Sequence, residues 1–379
     1  MPSFSKRIKS LEGVRGMAAI MVYFSHFAVM FYPAFYWSDK NISHCGGVDL
    51  FIGQTPFSFL LNGNSGVMFF LILTGIGTYM MRGGVKNLTL RYIKLLVIAL
   101  FSSLPVYILF QLNLTYYQQI ENILLTPWFG GWNPIEKSYL SLLMANPLSS
   151  LTTYNGVLWT MPYFFWSSII AALLYVMSLN CRNQYILYIL FTIVFINMGE
   201  VYYIPCILGV FIANRYAMAA EKRLSFPKGA LLFLLGIYLC AYPTGGVPVL
   251  WIYSFLPYKF YAFYHMFGAF CLIYAALYWS PVKHCMECSL MQFLGKYSMP
   301  IYVVHYGILI SFSAWLFRVL NNSLSYNVSV ILVFLATSVA VMVIAYIISK
   351  IMGLVFRLLG IVYDRVLGQQ NNHEIISKK

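Results

Sequence analysis

The sequence contains few charged residues and very few acidic ones. Only 9% of its 379 residues are Asp, Glu, Lys or Arg, whereas 61% are apolar and 18% are aromatic. A soluble domain has about 25% charged residues, and a disordered chain has few apolar ones, so both classes are excluded. The seven cysteines lie mostly in apolar runs or short connections, which indicates no disulfide framework.

Basic residues outnumber acidic ones by 24 to 10, which gives a formal net charge of +14. They form no continuous tail or patch, and this argues against nucleic-acid binding. They occur instead as short clusters between long apolar stretches. This arrangement is typical of a membrane protein whose basic residues are sorted to one side of the bilayer.

Ten apolar runs approach the ~20 residues that a helix needs to cross ~30 Å of hydrocarbon. Helices satisfy their own backbone groups in lipid, so the sequence predicts an all-α polytopic membrane protein with about ten transmembrane helices. Residues 1–379 are predicted to form a single membrane domain. The predicted spans are residues 15–36, 65–81, 95–112, 157–179, 184–199, 201–216, 229–243, 260–280, 298–317 and 327–350.

The orientation follows from the distribution of lysine and arginine among the connections. With the N-terminus in the cytoplasm, all but four of the 24 basic residues fall on the cytoplasmic side, the exceptions being Lys40, Lys137, Lys259 and Arg318. One missed span would invert this bias downstream, so the bias supports the number of spans. Both termini are therefore predicted to be cytoplasmic.

Three histidines, His26, His265 and His305, fall inside predicted spans, where ionisable groups are costly and are candidates for function. Arg15 and His26 are eleven residues apart, which places them on one helix face, ~16 Å apart along the axis. His26 is either a proton-transfer group or a packing histidine bonded to a neighbouring helix. For His265 the packing or interfacial interpretation is favoured.

Ser298, Tyr302 and His305 form a polar stripe on the ninth predicted span, since residues four and seven apart share a helix face. This stripe is expected to line a cavity. The cluster Arg82, Lys86, Arg91 and Lys94 follows the second span. It is either an orienting cytoplasmic loop or a phosphate site at the mouth of that cavity.

Two further patterns favour the simpler interpretation. His284, Cys285 and Cys288 have the spacing of half a zinc site, but no second ligand pair is near in sequence, so no metal is predicted. The aromatic stretch at residues 128–134 suits either the bilayer interface or stacking on a sugar. The interfacial interpretation is favoured.

Five stretches match, in order, the motifs of a known family. Residues 13–26, which contain Arg15 and His26, resemble the opening signature of the acyltransferase-3 family of integral-membrane O-acyltransferases, with the spacing of the two residues kept. The other stretches similar to family motifs are residues 65–75, 91–94, 158–165 and 294–305. The sequence departs from the family pattern at Met68 and Phe164, where acidic residues are usual, and at Lys94, where arginine is usual.

The resemblance implies transfer of an acyl group, usually acetyl from acetyl-CoA, to a hydroxyl of an extracytoplasmic acceptor such as a cell-surface or lipid-linked glycan. It also implies a bacterial inner-membrane location. Arg15, Arg91, Lys94 and Arg82 would hold the CoA phosphates. His26 would act as general base or form an acyl-imidazole. Ser298, Tyr302 and His305 would be candidate donors to the oxyanion.

Two other activities also require many helices. A flippase for a lipid-linked glycan would place polar groups at mid-membrane. A glycan polymerase or ligase acting on outer-leaflet diphosphate lipids would place Arg and Lys on the outer side, where the sequence has few. The charge distribution argues against the polymerase more strongly than against the flippase.

Overall fold

A computed structural model describes residues 8–82, 84–126, 128, 138–218 and 223–366, and the regular structure of these ranges is helical. Ten longer helices occur at α1 (Lys9–Phe31), α2 (Gly63–Met80), α3 (Val85–Gln111), α4 (Met161–Leu179), α5 (Gln184–Asn197), α6 (Ile204–Met218), α7 (Phe226–Cys240), α8 (Tyr261–Tyr278), α9 (Ser289–Ile308) and α10 (Tyr326–Val366). The all-α polytopic prediction is confirmed, and each predicted span overlaps one of these helices.

Shorter helices connect them. They are Ala34–Trp37, Lys40–Ile42, Val48–Gly53, Pro56–Leu61, Tyr117–Gln119, Glu121–Leu124, Tyr139–Ala145, Ser150–Thr153, Gly156–Thr160, Val201–Tyr203, Trp251–Ser254, Tyr258–Phe260 and Ser280–Glu287. Helix α9 continues through a π turn at Leu309–Ser313 into Ala314–Leu320. Such turns are frequent near functional sites.

Seven helical segments of the described chain are long and apolar enough to cross a membrane. They are Lys9–Phe31, Gly63–Met80, Val85–Gln111, Gly156–Leu179, Tyr258–Tyr278, Ser289–Leu320 and Tyr326–Tyr363. The remaining three, α5, α6 and α7, have 14 or 15 residues, which at 1.5 Å per residue is roughly 22 Å and less than the hydrocarbon thickness.

Several helices extend beyond the predicted spans. Helix α1 begins at Lys9, α9 begins at Ser289 and α10 ends at Val366, whereas spans at 15–36, 298–317 and 327–350 were expected. The apolar pattern marks only the part of a helix that lies in hydrocarbon, and it does not detect polar turns that continue the same helix. As a result, Ser298 lies in the middle of α9 and not at its start.

Helix α1 packs directly against α9 because small residues face each other. A Cβ atom on Gly16 would lie 2.6 Å from the main-chain nitrogen of Gly295, and one on Gly295 would lie 2.2 Å from the carbonyl oxygen of Glu12. Only glycine permits such an approach of two backbones. We call the end of the bundle at which α1 begins the Arg15 side, and the opposite end the Trp128 side.

Candidate active site

His26 of α1 and His305 of α9 lie in direct contact where the two helices approach. Nδ1 of His26 is 2.8 Å from Nε2 of His305, and the rings are stacked with centroids 5.1 Å apart at 22°. The side chain of His305 is fully buried, whereas that of His26 is half-buried. The two histidines singled out on separate spans thus form one pair, which we call the dyad.

The hydrogen bonds of the dyad assign its neutral tautomers. Nδ1 of His305 is 2.9 Å from the carbonyl oxygen of Ile301, and a carbonyl can only accept, so this nitrogen carries the proton. Nε2 of neutral His305 therefore accepts the proton of Nδ1 of His26. Nε2 of His26 is left with its lone pair, and no described residue is hydrogen-bonded to it.

A cavity of about 600 Å³ opens on the Arg15 side, a size within the range typical of small-molecule sites. Four basic residues line it, Arg15, Arg91, Lys94 and Lys296. Ser298 also lines the cavity, although its hydroxyl donates to the carbonyl oxygen of Gly295 at 2.9 Å. Three of the four residues expected to bind CoA are therefore brought together here.

Arg91 is the basic residue best placed to bind an anion in this cavity. Its Nη2 donates to Thr74 Oγ1 at 2.9 Å, while its Nε is buried and has no hydrogen-bond partner among the described residues. A buried guanidinium donor without a partner is costly unless a ligand accepts from it. Arg15 contacts Glu12 at 3.4 Å with its side chain 47% exposed, so it remains accessible to a second anion.

Arg82 lies outside this arrangement. It occupies the turn after α2 with φ of 58°, its side chain is exposed, and it is not one of the residues that line the cavity. Because α3 starts only after this turn, Arg91 and Lys94 line the cavity from α3, while Arg82 lies outside it. The predicted cluster is thus divided by the turn.

Aromatic rings separate the cavity from the dyad. Tyr302 lies 6.3 Å from His305, 5.5 Å from Phe70 and 6.3 Å from Phe164, measured between ring centroids, and the two phenylalanines line the cavity. The hydroxyl of Tyr302 is bonded to Thr160 Oγ1 at 2.7 Å and to the carbonyl oxygen of Val157 at 3.0 Å. Both hydrogen-bond partners of this hydroxyl therefore lie in the segment that precedes α4.

On the Trp128 side, the indole of Trp128 is stacked on the imidazole of His26, with ring centroids 5.1 Å apart at 15°. The sequence did not predict this contact, because a local aromatic pattern does not show which ring packs on which helix, and the bilayer-interface position of the stretch stays a prediction. The rest of that stretch, from residue 129 onward, lies outside the described residues.

His265 is held by packing, as favoured from the sequence. It is fully buried, its Nε2 lies 2.7 Å from the carbonyl oxygen of Tyr242, and its Nδ1 lies 2.7 Å from Asn64 Nδ2. Cys285 and Cys288 are exposed. Across the described residues, no three His, Cys, Asp or Glu side chains gather as metal ligands.

Two residues near the dyad were missed from the sequence. Asn155 is fully buried and its Nδ2 donates to the carbonyl oxygen of Val303 at 2.9 Å, which braces α9 two residues before His305. Thr126 bonds to α1 through the carbonyl oxygen of Val29 at 2.8 Å. Neither belongs to a local pattern that indicates function, since both contacts join distant parts of the chain.

Comparison with known proteins identifies a family. A family model described as an acyltransferase domain, Acyl_transf_3, matches residues 8–350. No curated protein and no solved structure matches the chain. The matched region contains all ten longer helices except the last part of α10, and it includes both histidines of the dyad and the basic cavity.

Proposed function

The chain belongs to the acyltransferase-3 family, and on this basis we propose that it transfers an acetyl group from cytoplasmic acetyl-CoA to a hydroxyl of a cell-surface glycan. A membrane-embedded acyltransferase needs a site for the acyl donor, a base, and access for the acceptor. Among the described residues, there are candidates for the donor site and for the base. Both candidates involve helices α1 and α9.

The observation that carries the proposal is the unbonded Nε2 of His26. In the proposed step, this nitrogen takes the proton of the acceptor hydroxyl while the hydroxyl oxygen attacks the thioester carbonyl carbon. The carbon–sulfur bond then breaks, and the imidazolium returns the proton to the departing CoA sulfur. The alternative route through an acyl-imidazole uses the same nitrogen as nucleophile.

His305 is proposed to orient His26. Its Nδ1 proton is committed to Ile301 and its Nε2 accepts from His26, so neutral His305 has no donor left for an oxyanion. By accepting the Nδ1 proton it fixes the tautomer of His26 and stabilises the imidazolium that forms, a role often filled by a carboxylate. This arrangement suits a chain that has Met68 and Phe164 where the family usually has acidic residues.

The basic cavity is proposed to hold the phosphate groups of CoA. Arg91 offers its buried Nε, and Arg15, Lys94 and Lys296 add positive charge around the same opening. The pantetheine arm would pass the rings of Phe70, Phe164 and Tyr302 toward His26. The concentration of basic residues on the Arg15 side supports a cytoplasmic location for it, and a bacterial inner membrane is proposed from the family.

The test compares His26→Ala with the wild-type protein in cells that display the acceptor. O-acetyl groups on the surface glycans, measured by NMR and mass spectrometry, are expected to disappear in the variant. His284→Ala is the matched control because it removes an exposed histidine of the same chain. Unchanged O-acetylation, with the His26 variant at normal abundance in the membrane, would contradict the proposal.

A further inference from the structure

Trp128 covers the side of the dyad that faces away from the basic cavity. Its indole lies flat on His26, and the ring of Tyr306 stands at its edge, with centroids 5.6 Å apart at 88°. Tyr306 directly follows His305 on α9. The indole is therefore in contact with aromatic residues of both helices that carry the dyad.

Hydrogen bonds attach the segment before Trp128 to the rest of the molecule. Thr126 Oγ1 donates to the carbonyl oxygen of Val29, one helical turn beyond His26, at 2.8 Å, and accepts from the main-chain nitrogen of Trp128 at 3.3 Å. Nε2 of His44 donates to the carbonyl oxygen of Leu124 at 2.9 Å. The indole is thus positioned from the same helix that carries the histidine it covers.

A cover at this place has a chemical consequence. The half-buried imidazole of His26 presents an unbonded Nε2, and a base beside a thioester activates water as readily as an alcohol. Enzymes that handle reactive acyl groups exclude water to prevent hydrolysis. A large apolar ring stacked on the imidazole reduces the space that water can occupy next to it.

We infer that Trp128 is a positioning residue that keeps water from Nε2 of His26, so that the acyl group goes to the acceptor and not to solvent. The inference rests on the proposed function. Without the indole, a water oxygen attacks the thioester carbonyl carbon and His26 takes the proton of that water. The carbon–sulfur bond breaks, the CoA sulfur receives the proton from His26, and acetic acid releases its own proton to solvent.

The experiment uses the purified full-length protein in lipid nanodiscs with acetyl-CoA and no acceptor, and free CoA is quantified by chromatography. Trp128→Ala is expected to raise CoA release about tenfold, because hydrolysis of acetyl-CoA becomes faster when water reaches the base. Trp128→Phe keeps an aromatic cover and should stay near the wild-type rate. Adding His26→Ala to Trp128→Ala should return the rate to background.

Trp251→Ala is the matched control, since that indole is 81% exposed and its loss should leave CoA release unchanged. Loss of structure lowers a rate, so a gain that needs His26 is not explained by damage to the fold. Trp128→Leu replaces Trp128→Ala if the alanine variant does not elute as the wild type does. Release that is unchanged or reduced in the folded variant overturns the inference.

A second measurement does not depend on catalysis. Labelling of His26 by diethylpyrocarbonate, followed by mass spectrometry, is expected to be about tenfold faster in Trp128→Ala than in wild type, because an open Nε2 reacts only when reagent can approach it. Faster labelling with no His26-dependent CoA release in any variant would uphold the cover and contradict the proposed function. Unchanged labelling would overturn the cover itself.

Discussion

The two sides of the dyad are built in opposite ways. The Arg15 side has a cavity of about 600 Å³ lined by four basic residues, whereas on the Trp128 side one indole is stacked directly on His26. The first is an open site in which charge is already placed for a large anion. The second is a close contact that, under the proposed function, must change before an acceptor reaches His26. Under the proposed function, donor binding is preorganised and acceptor access is controlled.

The dyad of His26 and His305 lies between these two sides. A substitution that disrupts the dyad is expected to have the largest effect, because His26 is the proposed base. His305→Ala removes the acceptor that fixes Nδ1 of His26, and acetyl transfer should fall about 100-fold, within the range for loss of general-base function. O-acetyl groups on surface glycans are the readout.

His305→Gln is the matched variant because a glutamine side-chain oxygen can accept the same proton. It should restore part of the activity, while membrane abundance should be equal in both variants. If the glutamine variant is as inactive as the alanine variant, the orienting role of His305 is contradicted.

The aromatic rings between the cavity and the dyad give an intermediate expected effect. Phe164 lines the cavity and lies beside Tyr302, so Phe164→Ala should make room for a longer acyl chain. We expect the affinity for hexanoyl-CoA relative to acetyl-CoA to rise about tenfold, since added methylenes in an apolar pocket contribute energies of that order. Displacement of labelled CoA measures the ratio.

Phe164→Leu keeps most of the side-chain volume and serves as the control, with a ratio close to wild type. An alanine variant that shows no change in the ratio would mean that acyl chains do not approach Phe164.

The smallest expected effect is a difference between Lys94 and Arg82, two residues of the same predicted basic cluster. Lys94→Ala should raise the KM for acetyl-CoA about fivefold, because an exposed charge contributes about 1 kcal/mol to an ion pair. Arg82→Ala should change it less than twofold, since Arg82 does not line the cavity. Equal effects of the two substitutions would show that the cluster acts through its total charge and not through the cavity.

Much of this architecture is readable from local sequence patterns. Long apolar runs predict the helices, because a chain that crosses hydrocarbon must satisfy its own backbone groups. The spacing of Arg15 and His26 already places both residues on one face of α1. The pairing of His26 with His305 was not predicted, because 279 residues separate them and no local pattern encodes the contact. Gly16 and Gly295 make the contact possible, but glycine alone does not identify its partner.

The contact of Trp128 with His26 was also not predicted, and the reason is physical. An aromatic stretch between two spans is equally compatible with the bilayer interface and with the interior of the bundle, since both bury the ring and leave the indole nitrogen near polar groups. Hydrogen bonding of Thr126 to α1 helps to place the indole on His26, and that bond depends on tertiary structure.

The central claim is that the Arg15 side binds the donor while His26 performs the chemistry. The most direct test is the Kd of labelled acetyl-CoA for purified His26→Ala and Arg91→Ala in the same nanodiscs. Arg91→Ala should weaken binding more than about tenfold, as for loss of charge-assisted hydrogen bonds, and His26→Ala should bind as the wild type does. Equal loss of affinity in both variants, or in neither, would contradict the account.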